Sequence, residues 1–109
     1  MIVTNAFSLN MLPGWRRDPA VTTELRVQPV SVEQAQELAR RGFVSAVGHA
    51  DTATIFSVIL GVKVPVNRAT VTLDAEPLLV GQYIGPRLPE GVTTLPEGAK
   101  VEFFLVSVI

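Results

Sequence analysis

A chain of 109 residues, 48% hydrophobic and 17% charged, is long enough to bury one core and too apolar for intrinsic disorder. A formal net charge of −1 argues against a protein that coats long DNA or RNA, and the lack of cysteine excludes disulfides, thiolate metal sites and cysteine nucleophiles. No apolar run is long enough to span a bilayer and no secretory leader precedes the first strand, so the expectation is one cytoplasmic domain, residues 1–109, with no membrane partner.

In chain order, Ile2 to Phe7 reads as a short strand that runs into the polar stretch Ser8–Leu9–Asn10. The segment LPGWRRDPA, 12–20, carries two prolines, a glycine and three charges and reads as a surface loop. Glu24 to Val30 reads as a strand. Ser31 then opens a helix, because Gln34 three residues on completes a capping box in which each side chain satisfies a free backbone donor. Val32, Ala35, Leu38 and Ala39 share one helix face, Glu37 pairs with Arg41 on the other, and Gly42 is the stop.

Phe43 to Val47 is a short apolar run and reads as a buried strand. After Gly48–His49–Ala50, Asp51 or Thr52 is expected to cap a second helix that ends at Gly61. Ile55, Phe56 and Ile59 give it an apolar face, which Val58 and Leu60 widen enough to predict packing on both sides. Two strands follow VKVPVNR, at Ala69–Leu73 with Val71/Leu73 alternation and at Leu78–Ile84. Val101 to Ile109 is a nearly continuous apolar strand, which must be central in the sheet or covered by another subunit. The fold class predicted is α/β with α+β character: a single mixed β-sheet flanked by two main helices.

Between the last two strands lies GPRLPEGVTTLPEG, Gly85 to Gly98, with three prolines, three glycines and the tetrapeptide LPEG twice. A loop of this length inside a compact domain is disordered or functional. Proline fixes φ and reduces the entropy lost on ordering, so this loop suits holding Arg87 and Glu90 over a ligand; a rigid surface turn in which the two merely pair is the alternative.

His49 falls between a strand and a helix start, where free N–H groups and the positive end of the helix dipole favour an anion. The same position suits a histidine that only caps the helix. Asn5, Ser8 and Asn10 form a polar cluster after the first strand, able to bond a base edge, ribose or phosphate, and equally able to make turns. Trp15 with Arg16 and Arg17 offers a stacking surface beside charge, or is incidental to its loop. With one histidine and no clustered carboxylates, neither a metal site nor a cofactor is expected, and no G-x-S-x-G or GxxxxGK[ST] motif is present.

Four blocks in order, NAFSLNML (5–12), GFVSAVGHADTA (42–53), VPVNRATVTL (64–73) and QYIGPRLPEGVTTLPEGAKVEFF (82–104), resemble the small viral anti-CRISPR ring nucleases of type III systems. The resemblance spans most of the chain and omits Pro13 to about Pro29. It implies a homodimer with a ligand cleft on the two-fold axis, and cyclic tetra-adenylate as the ligand. His49 is then the catalytic histidine, Arg87 and Glu90 match the arginine and glutamate of the G-P-R-L-P-E-G block, and Asn5, Ser8 and Asn10 match ligand-binding residues. Arg68 and Gln82 stand at positions similar to further ligand contacts. The implied reaction needs no metal: a ribose 2′-OH displaces the 5′ oxygen at its own 3′ phosphate, with His49 as general acid and Arg87 as phosphate stabiliser. A protein that only sequesters the ring is the alternative; a viral DNA-binding or scaffold protein is a third reading, disfavoured by the balanced charge.

Overall fold

A computed structural model describes all residues, 1–109. The order of elements is β1 (Ile2–Thr4), β2 (Leu25–Val30), α1 (Val32–Arg40), β3 (Val44–Ser45), α2 (Ala50–Leu60), β4 (Leu78–Ile84) and β5 (Lys100–Val108), with two short 3₁₀ turns at Leu9–Met11 and Gly14–Arg17. The five strands form one mixed sheet in the order β2-β5-β4-β1-β3. β1 runs parallel to both β3 and β4, while β5 lies antiparallel between β4 and β2. The fold class is therefore as predicted, and the apolar last strand is central rather than at an edge.

Alternation along β4 divides the core. Leu79 belongs to a cluster with Ala35, Ala39, Phe56 and Phe103, under α1 and α2. Leu78 and Val80 belong to a second cluster on the opposite face with Leu12, Val71, Leu73 and Val106. The period of two places successive residues on opposite sides of the sheet. By the same period Tyr83 faces the helices and Gln82 faces away.

Helix α1 has the expected capping box: Gln34 N donates to the Ser31 hydroxyl at 3.1 Å, and Ser31 N donates to Gln34 Oε1 at 2.8 Å. Glu37 bonds Arg40 at 2.8 Å and lies 3.9 Å from Arg41. The Arg40 hydrogen bond, aided by its charge and that of Arg41, holds the exposed Glu37 carboxyl below its usual range.

Several expectations are corrected. Residues 69–73 form no strand: Val71 and Leu73 are buried and Thr72 is exposed, as alternation demands, but the segment covers the second face of the sheet instead of joining it. Its one backbone bond of note runs from Leu73 N to Met11 O at 2.7 Å. β1 ends at Thr4 rather than Phe7, and β3 is only Val44–Ser45. Helix α2 is not packed on both sides; Val58 is 76% exposed. The 12–20 segment is ordered by the second 3₁₀ turn, where Arg16 lies over the Trp15 ring, 4.2 Å from its centroid, and pairs with Asp74 at 3.6 Å.

Candidate functional site

Three parallel strands, β3, β1 and β4, point the same way, so their carboxyl ends open on one edge of the sheet. Each delivers a polar residue there within a few positions of its end: Asn5 after β1, His49 after β3 and Arg87 after β4. Ligands in open α/β sheets collect at this edge because chain ends and helix starts leave backbone groups unpaired there. The result is a cleft of about 880 Å³ lined by Asn5, His49, Asp51, Thr52, Arg87 and Glu90, among others.

His49 itself is the N-cap of α2, correcting the expectation that Asp51 or Thr52 would serve. Its backbone is extended (φ −125°, ψ 129°) and its Nδ1 accepts the Asp51 N–H at 3.3 Å, a long bond. An Nδ1 that accepts leaves the neutral ring's proton on Nε2, so the free nitrogen is a donor. The structure thus shows the capping reading of His49, and the residue also lines the cleft.

A network that the sequence reading missed fixes the approach to His49. The Ser45 hydroxyl donates to Pro65 O at 2.6 Å and accepts Val47 N at 3.2 Å. Asn67 bonds the same stretch twice, from Nδ2 to Ser45 O at 2.7 Å and from its backbone N to Val47 O at 2.8 Å. Arg68 completes it, Nε to Gly48 O at 3.0 Å. Residues 65–68 therefore run beside β3 and its exit as an irregular companion, satisfying an edge too short to hold itself. The available signal was a polar Ser45 inside the apolar run Phe43–Val47.

On the other wall, the 85–98 loop is pinned at its start and at its middle. The Tyr83 hydroxyl donates to Pro86 O, and the Gly91 N–H donates to the Asp51 carboxylate at 2.7 Å. Each LPEG copy closes the same turn: Val92 N reaches Pro89 O at 3.2 Å and Ala99 N reaches Pro96 O at 3.0 Å. Gly91 (φ 85°) and Gly98 (φ 81°) take the third turn position, where a positive φ is required. Arg87 and Glu90 form no ion pair, with each other or elsewhere, so the pairing alternative is set aside and both side chains are exposed.

Of the residues singled out by sequence, the cleft gathers Asn5, His49, Arg87 and Glu90. The others lie outside it. Ser8 caps the first 3₁₀ turn, accepting Asn10 N at 3.3 Å, which is the turn-making reading for both. Arg68 is held by Gly48 O beside His49. Gln82 lines a groove on the sheet face away from the helices with Phe7, Val27, Val80, Phe104 and Val106. Trp15 is exposed in the second 3₁₀ turn, where Arg16 lies over its ring, and Arg17 Nε donates to Leu12 O at 3.1 Å. With Arg87 facing Asp51 and Glu90, the cleft is mixed in charge rather than broadly basic.

The fold and site define a small one-sheet domain with a polar cleft at the carboxyl ends of its parallel strands. The chain belongs to the STIV B116-like family, whose model matches residues 1–105. It is similar in structure to B116 of Sulfolobus turreted icosahedral virus, with a TM-score of 0.74 and 25% identity over 97% of both chains. Two further relatives are viral. Uncharacterized protein ORF117 of Acidianus two-tailed virus is 35% identical over 87 residues, covering 75% of this chain and 74% of that protein. Uncharacterized protein 26 of Sulfolobus islandicus filamentous virus is 35% identical over 92 residues, covering 84% and 73%. These relatives support a viral protein of this family. No helix is long and apolar enough to cross a membrane.

Proposed function

We propose that this chain is a metal-independent ring nuclease that cuts cyclic tetra-adenylate into linear di-adenylate ending in a 2′,3′-cyclic phosphate, and so switches off type III CRISPR effector signalling in the host cytoplasm. The observation that carries this reading is the convergence of Asn5, His49, Arg87 and Glu90, from three separate strand ends, on one cleft at the start of α2.

The chemistry asks little of the protein because the nucleophile is tethered to its target. The 2′-oxygen forms a bond to the adjacent phosphorus, the P–O5′ bond breaks, and O5′ leaves with a proton. Arg87 neutralises the charge that builds on the phosphate oxygens, and the α2 N-terminus adds its partial positive charge. Glu90 takes the proton from the 2′-OH as its oxygen bonds to phosphorus. His49 supplies the proton to O5′. To do so as an imidazolium it must carry hydrogen on both nitrogens and give up the long bond from Asp51 N.

A homodimer is part of the proposal. Within one chain Gln82 lies on the sheet face away from the helices, where its groove leaves Val27 56% exposed. A second copy seated on that apolar groove would bury it and would give a two-fold ligand two equivalent sites. Sedimentation of wild type against Val27→Arg tests this, a dimer being expected for the first and a monomer for the second.

The test of the activity is incubation with cyclic tetra-adenylate in EDTA at substoichiometric protein, with products identified by mass spectrometry. Multiple turnovers to di-adenylate are expected. Release of intact ring at no more than stoichiometric amounts would mean a sequestering protein instead, and cleavage only with a divalent ion would remove the metal-free account.

A further inference from the structure

The sheet lets go of the chain before it reaches Arg87. The β4–β5 ladder ends at the pair Ile84 and Lys100, and Arg87 belongs to the loop beyond it. A guanidinium that must meet particular phosphate oxygens needs a fixed backbone beneath it, so something other than the ladder has to set residues 85–87.

Tyr83 supplies that hold. Its ring is half-buried against the core under the helices, and its hydroxyl reaches forward along the chain to donate to Pro86 O. That oxygen belongs to the peptide joining Pro86 to Arg87, so the bond sets the plane from which Arg87 departs. The φ of Pro86 is fixed by its own ring. Gly85 lies in the gap between them: a Cβ there would stand 2.9 Å from Tyr83 Oη and 2.7 Å from Ala99 Cβ, so the absence of a side chain lets the foot of the loop settle against the hydroxyl. The same device stands before His49. Arg68 Nε donates at 3.0 Å to Gly48 O, the carbonyl of the peptide that leads into His49, and a Cβ on Gly48 would stand 3.0 Å from Arg68 Cγ. Each arm of the cleft thus leaves from a peptide whose oxygen is held by a side chain rooted elsewhere.

We propose that Tyr83 is a positioning residue: its hydroxyl orients the peptide from which Arg87 reaches the phosphate, and it acts through Arg87 rather than on the substrate. The inference rests on the reading of the cleft as a phosphodiester site and adds to it the group that aims the arginine. Arg87 counts most when charge builds on the phosphate oxygens, so a misaimed arginine costs kcat more than KM.

The test is Tyr83→Phe, which removes the hydroxyl and keeps the ring. In the intact protein, kcat for cyclic tetra-adenylate is expected to fall about tenfold with KM within about twofold of wild type. Tyr83→Phe combined with Arg87→Ala is expected to be no slower than Arg87→Ala alone, because a group that acts through Arg87 then has nothing left to aim, whereas a merely structural role would add its own loss. Backbone amide relaxation is expected to show Arg87 and Leu88 more mobile in Tyr83→Phe than in wild type. Full kcat in Tyr83→Phe, additive losses in the double variant, or unchanged Arg87 and Leu88 amides would each overturn the proposal. If wild type leaves the ring intact, the nuclease reading falls and titration with inorganic phosphate decides separately: weaker binding by Tyr83→Phe together with mobile amides keeps Tyr83 as the group that aims Arg87 at an anion, and equal phosphate affinity removes it.

Discussion

The Asp51 carboxylate accepts the Gly91 N–H at 2.7 Å, joining the first turn of α2 to a loop 40 residues further along the chain. This is the one side-chain bond that ties the Arg87–Glu90 wall to the His49 wall. Asp51→Ala is expected to leave global stability within ~1 kcal/mol, as for a single exposed hydrogen bond, and to speed hydrogen exchange at the Gly91 amide. Turnover should fall ~10–100-fold through misplacement of Arg87 and Glu90, with Asp51→Asn, which keeps an acceptor, recovering most of it. Unaltered exchange at Gly91 in the alanine variant would show that the loop is held by other means.

His49 carries two jobs that substitutions can separate. His49→Ala removes cap and acid together; His49→Asn restores a strong cap without an acid. Thermal unfolding should place the asparagine variant at or above wild type and the alanine variant below it by ~0.5–1 kcal/mol. Both are expected to lose ~10²–10⁴-fold in ring cleavage. Retained cleavage in the asparagine variant would take the imidazole out of the reaction.

Ser45 is buried and serves two partners on the segment that leads to His49. Ser45→Ala strands Pro65 O and Val47 N, and urea unfolding should register a loss of ~1–3 kcal/mol. Ser45→Val, which fills the space but is equally unable to bond, should fare no better, which distinguishes lost hydrogen bonds from a packing void.

Gly81 has an ordinary strand conformation but no room for a side chain: Phe56 lies 2.5 Å and Phe103 3.1 Å from the point a Cβ would occupy. Gly81→Ala is therefore expected to destabilise by ~1–3 kcal/mol through forced displacement of both rings, readable as a lower urea midpoint at unchanged m-value. An equal or higher midpoint would mean that the rings move aside freely.

The helices and the long strands are legible in the sequence because their signals are local. Ser31 and Gln34 mark a helix start whatever surrounds them, and the apolar run of β5 suits only a covered strand. Residues 69–73 mislead for the complementary reason. Alternation reports which side chains are buried, and Val71 and Leu73 are, but it carries no information on whether the backbone finds a sheet partner. The His49 junction, Arg87 and Glu90 can be found from residue type and position. Asp51–Gly91 and Ser45–Pro65 cannot, since each joins parts of the chain that only the topology brings together. Val58 misleads because apolar character alone does not fix the face of a helix that meets solvent.

The repeated LPEG divides labour between two copies of one turn: Gly91 docks on α2, and Gly98 leads the chain back to β5. Excising residues 88–94 would leave Arg87 still followed by Leu-Pro-Glu-Gly, yet a single bend would then have to serve as both anchor and re-entry ramp. The duplication thus acts as a spacer that lets the wall of the cleft stand away from the sheet while both its feet stay planted.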